Sequence, residues 1–232
     1  MTHHRNITRL FLASILIASV LLIACGSESP PAASPTQTST KETDAGFRTI
    51  VAVGDSLTAG YGVGENQAYP ALLQERLLQE GYFFRVVNAG ISGETSSGTR
   101  SRIDWVISSL NPDIIILETG ANDGLRGVDT AVLEKNLAEI ITTIQAQGIV
   151  AVMAGMKMLP NFGPNYTKQF AEVYPRVARQ MGVIFIPFFL EGVAGDKRYN
   201  LADGIHPNPE GYRRIVAHIY PYVVKAIKQL KN

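Results

Sequence analysis

The chain has 232 residues, 21 basic against 20 acidic side chains, 46% hydrophobic residues and a single cysteine. That apolar fraction and balanced charge exclude a disordered chain, and without a basic excess a nucleic-acid partner has no electrostatic support. One cysteine excludes an internal disulfide framework and a Cys-rich zinc site, so the thiol is read by its position.

Residues 1–9 carry Arg5 and Arg9 and no acid, and residues 10–24 are almost wholly apolar. This is the n-region and h-region layout of a secretory signal. Fifteen residues of helix would span about 22 Å, short of a hydrocarbon core of about 30 Å, so a permanent transmembrane helix is the weaker reading. The segment closes on Leu22-Ile23-Ala24-Cys25, which resembles a bacterial lipobox. In such precursors the Cys thiol is acylated and cleavage occurs before it. The resemblance implies lipidation of Cys25 and, because Gly26 rather than Asp follows, an outer-membrane lipoprotein facing the periplasm. The alternative is a chance Cys beside an ordinary cleavage site. Residues 26–46 are rich in Ser, Thr, Pro and Ala and hold no large apolar side chain, as expected of a tether. The expected organisation is a signal over 1–24, a lipidated Cys and tether over 25–46, and one domain over 47–232. Without residues 1–24 the chain has 19 basic and 20 acidic residues. Lipid rather than surface charge would then do the anchoring.

From Phe47 onward, apolar runs alternate with amphipathic stretches. Residues 48–53 are β-branched and end at Gly54, as a buried strand does. Residues 69–79 place Leu72, Leu73, Leu77 and Leu78 at helical spacing. A second strand is expected over 84–88 and a helix over 98–110, stopped by Asn111-Pro112. Residues 113–118 contain Ile-Ile-Ile-Leu, a third, central strand. Asp129 is placed to cap a helix running to Gln147, with Leu133, Leu137, Ile140, Ile141 and Ile144 on one face. A fourth strand follows over 149–153. The stretch 166–181 is helical, with Pro175 expected to kink or break it. A fifth strand covers 183–186. The last helix runs over 208–230, with Pro209 in its first turn and Pro221 expected to interrupt it. The pattern predicts an α/β fold: a three-layer α/β/α sandwich with a mostly parallel, five-stranded, flavodoxin-like sheet.

Reactive groups in such sheets gather at the carboxyl ends of the strands. That places residues 54–62, 88–93, 120–124 and the segment around 203–206 on one rim. Ser56 follows the first strand directly, where a hydroxyl is exposed and backbone donors are unpaired. A serine nucleophile needs a base, and Asp203-Gly204-Ile205-His206 supplies one with a carboxylate three residues before it, close enough to hold the imidazole tautomer. A tetrahedral oxyanion needs donors. Ser56 N–H, Gly90 N–H and the Asn122 amide stand after three different strands. Taken singly, each has a plainer reading. Ser56 suits a helix cap, and the glycines and Asn122-Asp123-Gly124 suit ordinary turns. Asp55 and Asp123 are expected to pin loops, and His218 to be structural.

The four blocks Gly54-Asp55-Ser56-Leu57, Asn88-Ala89-Gly90, Gly120-Ala121-Asn122-Asp123 and Asp203-Gly204-Ile205-His206-Pro207, in this order, resemble the SGNH hydrolases, also called the GDSL family. The resemblance runs from Arg48 to the end of the chain. It is strongest to the thioesterase I, arylesterase and lysophospholipase L1 branch, through residues 120–127 and Met156-Lys157-Met158-Leu159-Pro160. It implies Ser56 as nucleophile, His206 as base, Asp203 as its orienter and Gly90 and Asn122 as oxyanion donors. It implies hydrolysis of small acyl esters or thioesters with no cofactor and no metal. Ala121 departs from the branch, which commonly has Gly there, and adds a Cβ beside the oxyanion position.

Tyr61, Met156, Leu159, Phe162 and Tyr166 follow strand ends and are expected either to line an acyl groove or to pack under loops. Two other readings stay open: a carbohydrate O-acetylesterase of the same fold and a non-catalytic flavodoxin-like binding lipoprotein. The first loop lacks the G-x-x-x-x-G-K-[ST] phosphate cradle that such a module would use.

Overall fold

The computed structural model describes residues 46–158 and 162–230. The expected signal, Cys25 with nearly all of the expected tether, and Leu159 lie outside the described residues.

Five strands form one parallel sheet: β1 (Arg48–Gly54), β2 (Phe84–Gly90), β3 (Ile114–Glu118), β4 (Val150–Ala154) and β5 (Ile184–Ile186), in the order β2-β1-β3-β4-β5. Every residue of β3 is buried, and so is every residue of β1 after Arg48. Covering both sheet faces requires continuous β-branched runs rather than alternation, which is what Ile50–Val53 and Ile114–Leu117 supply. Register fixes what meets at the rim. Gly54 pairs with Gly90 on one side and with Glu118 on the other.

The helices are α1 (Ser56–Ala59), α2 (Tyr69–Gln79), α3 (Ser96–Leu110), α4 (Ala121–Leu125), α5 (Thr130–Ala146), α6 (Gly163–Met181) and α7 (Pro209–Gln229). Helix α2 packs on α7, while α3 and α6 pack on α5, giving the two outer layers. Asp129 caps α5 as expected, accepting from Ala131 N–H at 2.9 Å. Two short helices, α1 and α4, occupy positions that read as loops in the sequence.

Of the expected kink or break at Pro175 no break is found, and Pro221 does not interrupt its helix. Both lie inside α6 and α7, which continue through them. A helix-interior proline costs about 3 kcal/mol, whereas each fully buried large apolar side chain returns about 1.5–3 kcal/mol. Val173, Tyr174 and Val177 surround the first proline, and Ile219, Tyr220 and Val223 the second, all buried. Packing on both flanks therefore outweighs the missing N–H.

Candidate active site

The turn after β1 is shaped by Asp55. Its side chain is the N-cap of α1 and accepts from Leu57 N–H at 3.0 Å. This starts the helix one residue after the strand and leaves Ser56 at the first turn, half-buried, with its hydroxyl facing the cavity described below. Gly60 ends the four-residue helix in the left-handed conformation, φ 82°. Tyr212 of α7 ties this turn to the core, its hydroxyl donating to Leu57 C=O at 3.0 Å.

The second support is the loop before α7. Asn200 and Pro207 form an antiparallel bridge, and Leu201 N–H donates to His206 C=O at 2.8 Å, so the intervening residues form a closed turn. Asp203 sits inside it. Its Oδ1 accepts from the backbone N–H groups of Ile205 and His206, each at 3.0 Å, and its Oδ2 is 2.8 Å from His206 Nδ1. These bonds, led by the His206 backbone N–H, hold the Asp203 carboxyl down at about 2. It is thus a carboxylate throughout the neutral range, and it fixes Nδ1 as the protonated nitrogen. His206 Nε2 then stands 2.9 Å from Ser56 Oγ as an acceptor for its proton. The Tyr61 ring lies against the imidazole, 4.5 Å between centroids.

The three oxyanion candidates follow separate strand ends, and of them Ser56 and Asn122, but not Gly90, border the cavity described below. Gly90 faces Gly54, and a Cβ there would come 2.2 Å from Ala59 N, so only glycine allows the approach of β2 to α1. Its N–H points to Asn88 Oδ1 at 3.0 Å. Asn122 follows Gly120, whose φ of 106° makes the turn out of β3. The Asn122 amide donates one N–H to Asp55 Oδ2 at 3.2 Å. Asp123, one residue on, is buried and accepts from Ser96 N–H at 2.7 Å, pinning the start of α3 as a loop anchor should.

Ser56, Asn122 and His206 open onto one cavity of about 400 Å³. Its walls are mostly apolar, formed by Met156, Met158, Phe188, Leu190, Ala121 and Ile205, with Lys157 as a charged member. Lys157 Nζ lies 4.6 Å over the Phe188 ring. Of the expected groove residues, Tyr61 and Met156 line this cavity. Phe162 and Tyr166 are not among its lining residues and take the other expected role, packing under a loop. The Tyr166 hydroxyl donates to Val128 C=O at 2.7 Å, and Phe162 stacks edge-on against Tyr166, 5.5 Å between centroids. Together they brace the loop between α4 and α5, because the phenol satisfies a carbonyl that the turn leaves free. Phe188 and Leu190 were not foreseen. The signal was present, since Pro187-Phe188-Phe189-Leu190 is an apolar run just past the carboxyl end of a strand. His218 is structural, its Nε2 donating to Phe188 C=O at 3.0 Å.

Two buried carboxyl groups lie beneath the nucleophile turn. Asp55 and Glu118 are both fully buried. Burial raises Asp55 to about 6, and burial together with the neighbouring Asp55 charge raises Glu118 well above the usual carboxylate range.

The GDSL-like lipase/acylhydrolase family matches residues 52–214 of the chain. Over 177 residues the chain is 42% identical to esterase TesA of Pseudomonas aeruginosa, covering 76% of this chain and 88% of that protein. It is 33% identical over 184 residues to the thioesterase 1/protease 1/lysophospholipase L1 of Escherichia coli, covering 79% of this chain and 85% of that one. The crystal structure of the psychrotrophic esterase EstA from Pseudoalteromonas sp., inhibited by monoethylphosphonate, superposes with a TM-score of 0.74 at 31% identity, over 80% of this chain and 100% of that one. With the four motif blocks gathered at the strand ends, these similarities show that the chain belongs to the GDSL-like lipase/acylhydrolase family.

Proposed function

We propose that the protein is a serine hydrolase acting on carboxylic esters and thioesters of acyl substrates, with Ser56 as nucleophile. The observation that carries this is the unbroken relay from Asp203 through His206 to Ser56 Oγ, at 2.8 and 2.9 Å, opening onto an apolar cavity. Ser56 Oγ attacks the acyl carbon while its proton passes to His206 Nε2, and Asp203 stabilises the imidazolium. The oxyanion that forms takes hydrogen bonds from Ser56 N–H, the second N–H of Asn122 and Gly90 N–H, the last exchanging Asn88 Oδ1 for the oxyanion. Collapse breaks the ester or thioester bond, and the leaving alcohol or thiol takes the proton from His206. Water, deprotonated by the same imidazole, then attacks the acyl-serine and releases the acid. Met156, Phe188, Leu190 and Ile205 favour an aliphatic or aryl acyl group over a sugar in the cavity.

The experiment is labelling with a fluorophosphonate, followed by mass spectrometry of the modified peptide. Modification at Ser56, absent in Ser56→Ala and blocked by an acyl-ester substrate, is expected. Modification elsewhere with Ser56→Ala fully active would overturn the reading. A series of p-nitrophenyl esters and acyl-CoAs of rising chain length then ranks the acyl preference.

The sequence Leu22–Cys25 supports a second, separate reading, that the enzyme is held at a membrane by an acylated Cys25. Fractionation of cells carrying Cys25→Ser tests it. The substituted chain leaves the membrane fraction if the thiol is the attachment point, and stays there if it is not.

A further inference from the structure

Glu118 is a fully buried acid that the catalytic scheme above does not use. It ends β3, in register with Gly54, so its carboxyl lies directly beneath the turn that carries Asp55 and Ser56. The fit is close, for a Cβ on Gly54 would come 2.6 Å from Glu118 Oε2. Thr58 Oγ1 donates to that Oε2 at 2.8 Å. The other oxygen, Oε1, is buried and meets no donor among the described residues. This donorless oxygen belongs to a carboxyl that shares its dry site with a second fully buried one, that of Asp55, whose charge disfavours ionisation of Glu118. Of two carboxyl groups sharing such a site, one keeps the proton.

The neighbours decide which one. Asp55 Oδ1 accepts from Leu57 N–H and Asp55 Oδ2 from the Asn122 amide, so its other partners are donors suited to an anion. Asp55 also feels the positive field of His206 when the imidazole is charged. Glu118 takes the Thr58 O–H and a backbone N–H of Asp55, but its Oε1 has no donor among the described residues, and around it stand the Asp55 carboxyl and the phenols of Tyr69, Tyr174 and Tyr212, from α2, α6 and α7, none of which brings positive charge. A second anion there would lie in a dry site against the first. The acid is therefore Glu118 and the carboxylate is Asp55.

We propose that Glu118 is a positioning residue for the hydrolysis: by holding a proton against Asp55 it fixes Asp55 as the acceptor that aims the Asn122 amide at the oxyanion. An amide nitrogen has two N–H groups in one plane. Anchoring one on Asp55 Oδ2 fixes the direction of the other, and Asn122 lines the cavity. Glu118 touches neither substrate nor nucleophile and acts through Asp55. The inference rests on Asn122 being an oxyanion donor.

The test measures kcat and KM for p-nitrophenyl butyrate with Glu118→Ala and Glu118→Gln, each alone and with Asn122→Ala. Glu118→Ala is expected to lower kcat about 10- to 100-fold with KM changed less than about twofold, because the donor geometry matters only once the oxyanion forms. Glu118→Gln, whose amide donates an N–H where the acid donated O–H, is expected to recover kcat to within about fivefold of wild type. On the Asn122→Ala background the Glu118→Ala change should shift kcat by less than about threefold, since residues acting as a unit are not additive. Infrared spectra at pH 7 should show a protonated carboxylic acid band in the wild type that Glu118→Gln lacks. Glu118→Met, similar in size and without a proton to donate, replaces the Ala variant if that chain does not fold. Fully additive losses, a Gln variant as impaired as the Ala variant, or no carboxylic acid band would each overturn the proposal. If Asn122→Ala alone leaves kcat unchanged, the oxyanion assignment of Asn122 falls, and this inference with it.

Discussion

Ser56 Oγ and His206 Nε2 meet at 2.9 Å across 150 residues of sequence, and Tyr212 binds their two supports together. Tyr212 belongs to the helix that follows the His206 loop, is fully buried, and bonds Leu57 C=O in the turn that carries Ser56. Tyr212→Phe leaves that carbonyl without its donor. It should cost about 1–3 kcal/mol in urea unfolding and lower kcat by several-fold, as the nucleophile and base lose a shared reference. Unchanged kcat with unchanged stability would show that the two supports do not depend on this bond.

Asp203→Asn keeps the shape of the turn but offers His206 Nδ1 an amide in place of a carboxylate. The imidazole then loses its fixed tautomer and the charge that stabilises its protonated form. We expect kcat to fall about 10³- to 10⁴-fold, with the melting temperature moved by only a few degrees. Stopped-flow release of p-nitrophenol from a butyrate ester checks this.

Burial of Asp55 gives stability a defined pH dependence. Its carboxyl titrates at about 6 in the fold and from the ordinary value of 3.8 when unfolded. Between these values the folded state holds the proton more tightly. The contribution is therefore fully present below about pH 4 and is lost as pH rises through 6. Asp203, held at about 2, acts in the opposite sense in a lower window, its contribution being lost as pH falls below 3.8 toward 2. Unfolding free energies at pH 4 and pH 7 should differ less in Asp55→Asn than in the wild type. An identical difference would mean that Asp55 is not the titrating group.

Gly90→Ala tests the close approach at the oxyanion corner. The added Cβ has backbone as its neighbours, Ala59 N at 2.2 Å and Ala59 Cα at 2.7 Å, so no side chain can rotate away. Separating β2 from α1 should cost at least about 1–3 kcal/mol and lower the melting temperature by several degrees. It should also reduce kcat, because Ser56 sits on the displaced helix.

Pro175→Ala should act in the opposite direction. Alanine restores the missing N–H inside α6 while Val173, Tyr174 and Val177 keep their buried places. We expect a gain of about 1–3 kcal/mol, read as a melting temperature raised by a few degrees, with kcat unchanged.

The parts of the fold that were legible in the sequence are those governed by local chemistry. The limits of α2 followed from leucine spacing, and the cap of α5 from Asp129. The Asp203 turn was legible for the same reason, since its bonds span three residues or fewer, apart from the one to Ser56. What escaped depended on distant partners. Pro175 read as a kink or break and Pro221 as an interruption because the sequence does not show how much burial their flanks gain. Phe162 and Tyr166 read equally as groove or packing until Val128 C=O settled the phenol's partner. Glu118 passed unremarked at the end of Ile114-Ile115-Ile116-Leu117. An acid closing a wholly apolar strand was a visible signal, but its partners, Asp55 and Thr58, lie about 60 residues away.

The parallel sheet also decides how the protein can be handled. Every strand delivers its carboxyl end to the catalytic rim, so the polypeptide enters β1 at Arg48 on the far side, six residues before Gly54. At about 3.3 Å per residue those six steps put the entry roughly 20 Å from the nucleophile turn. A bead, chip or fused carrier joined ahead of Arg48 would therefore hold the catalyst by its back, with the cavity mouth turned toward the bulk liquid.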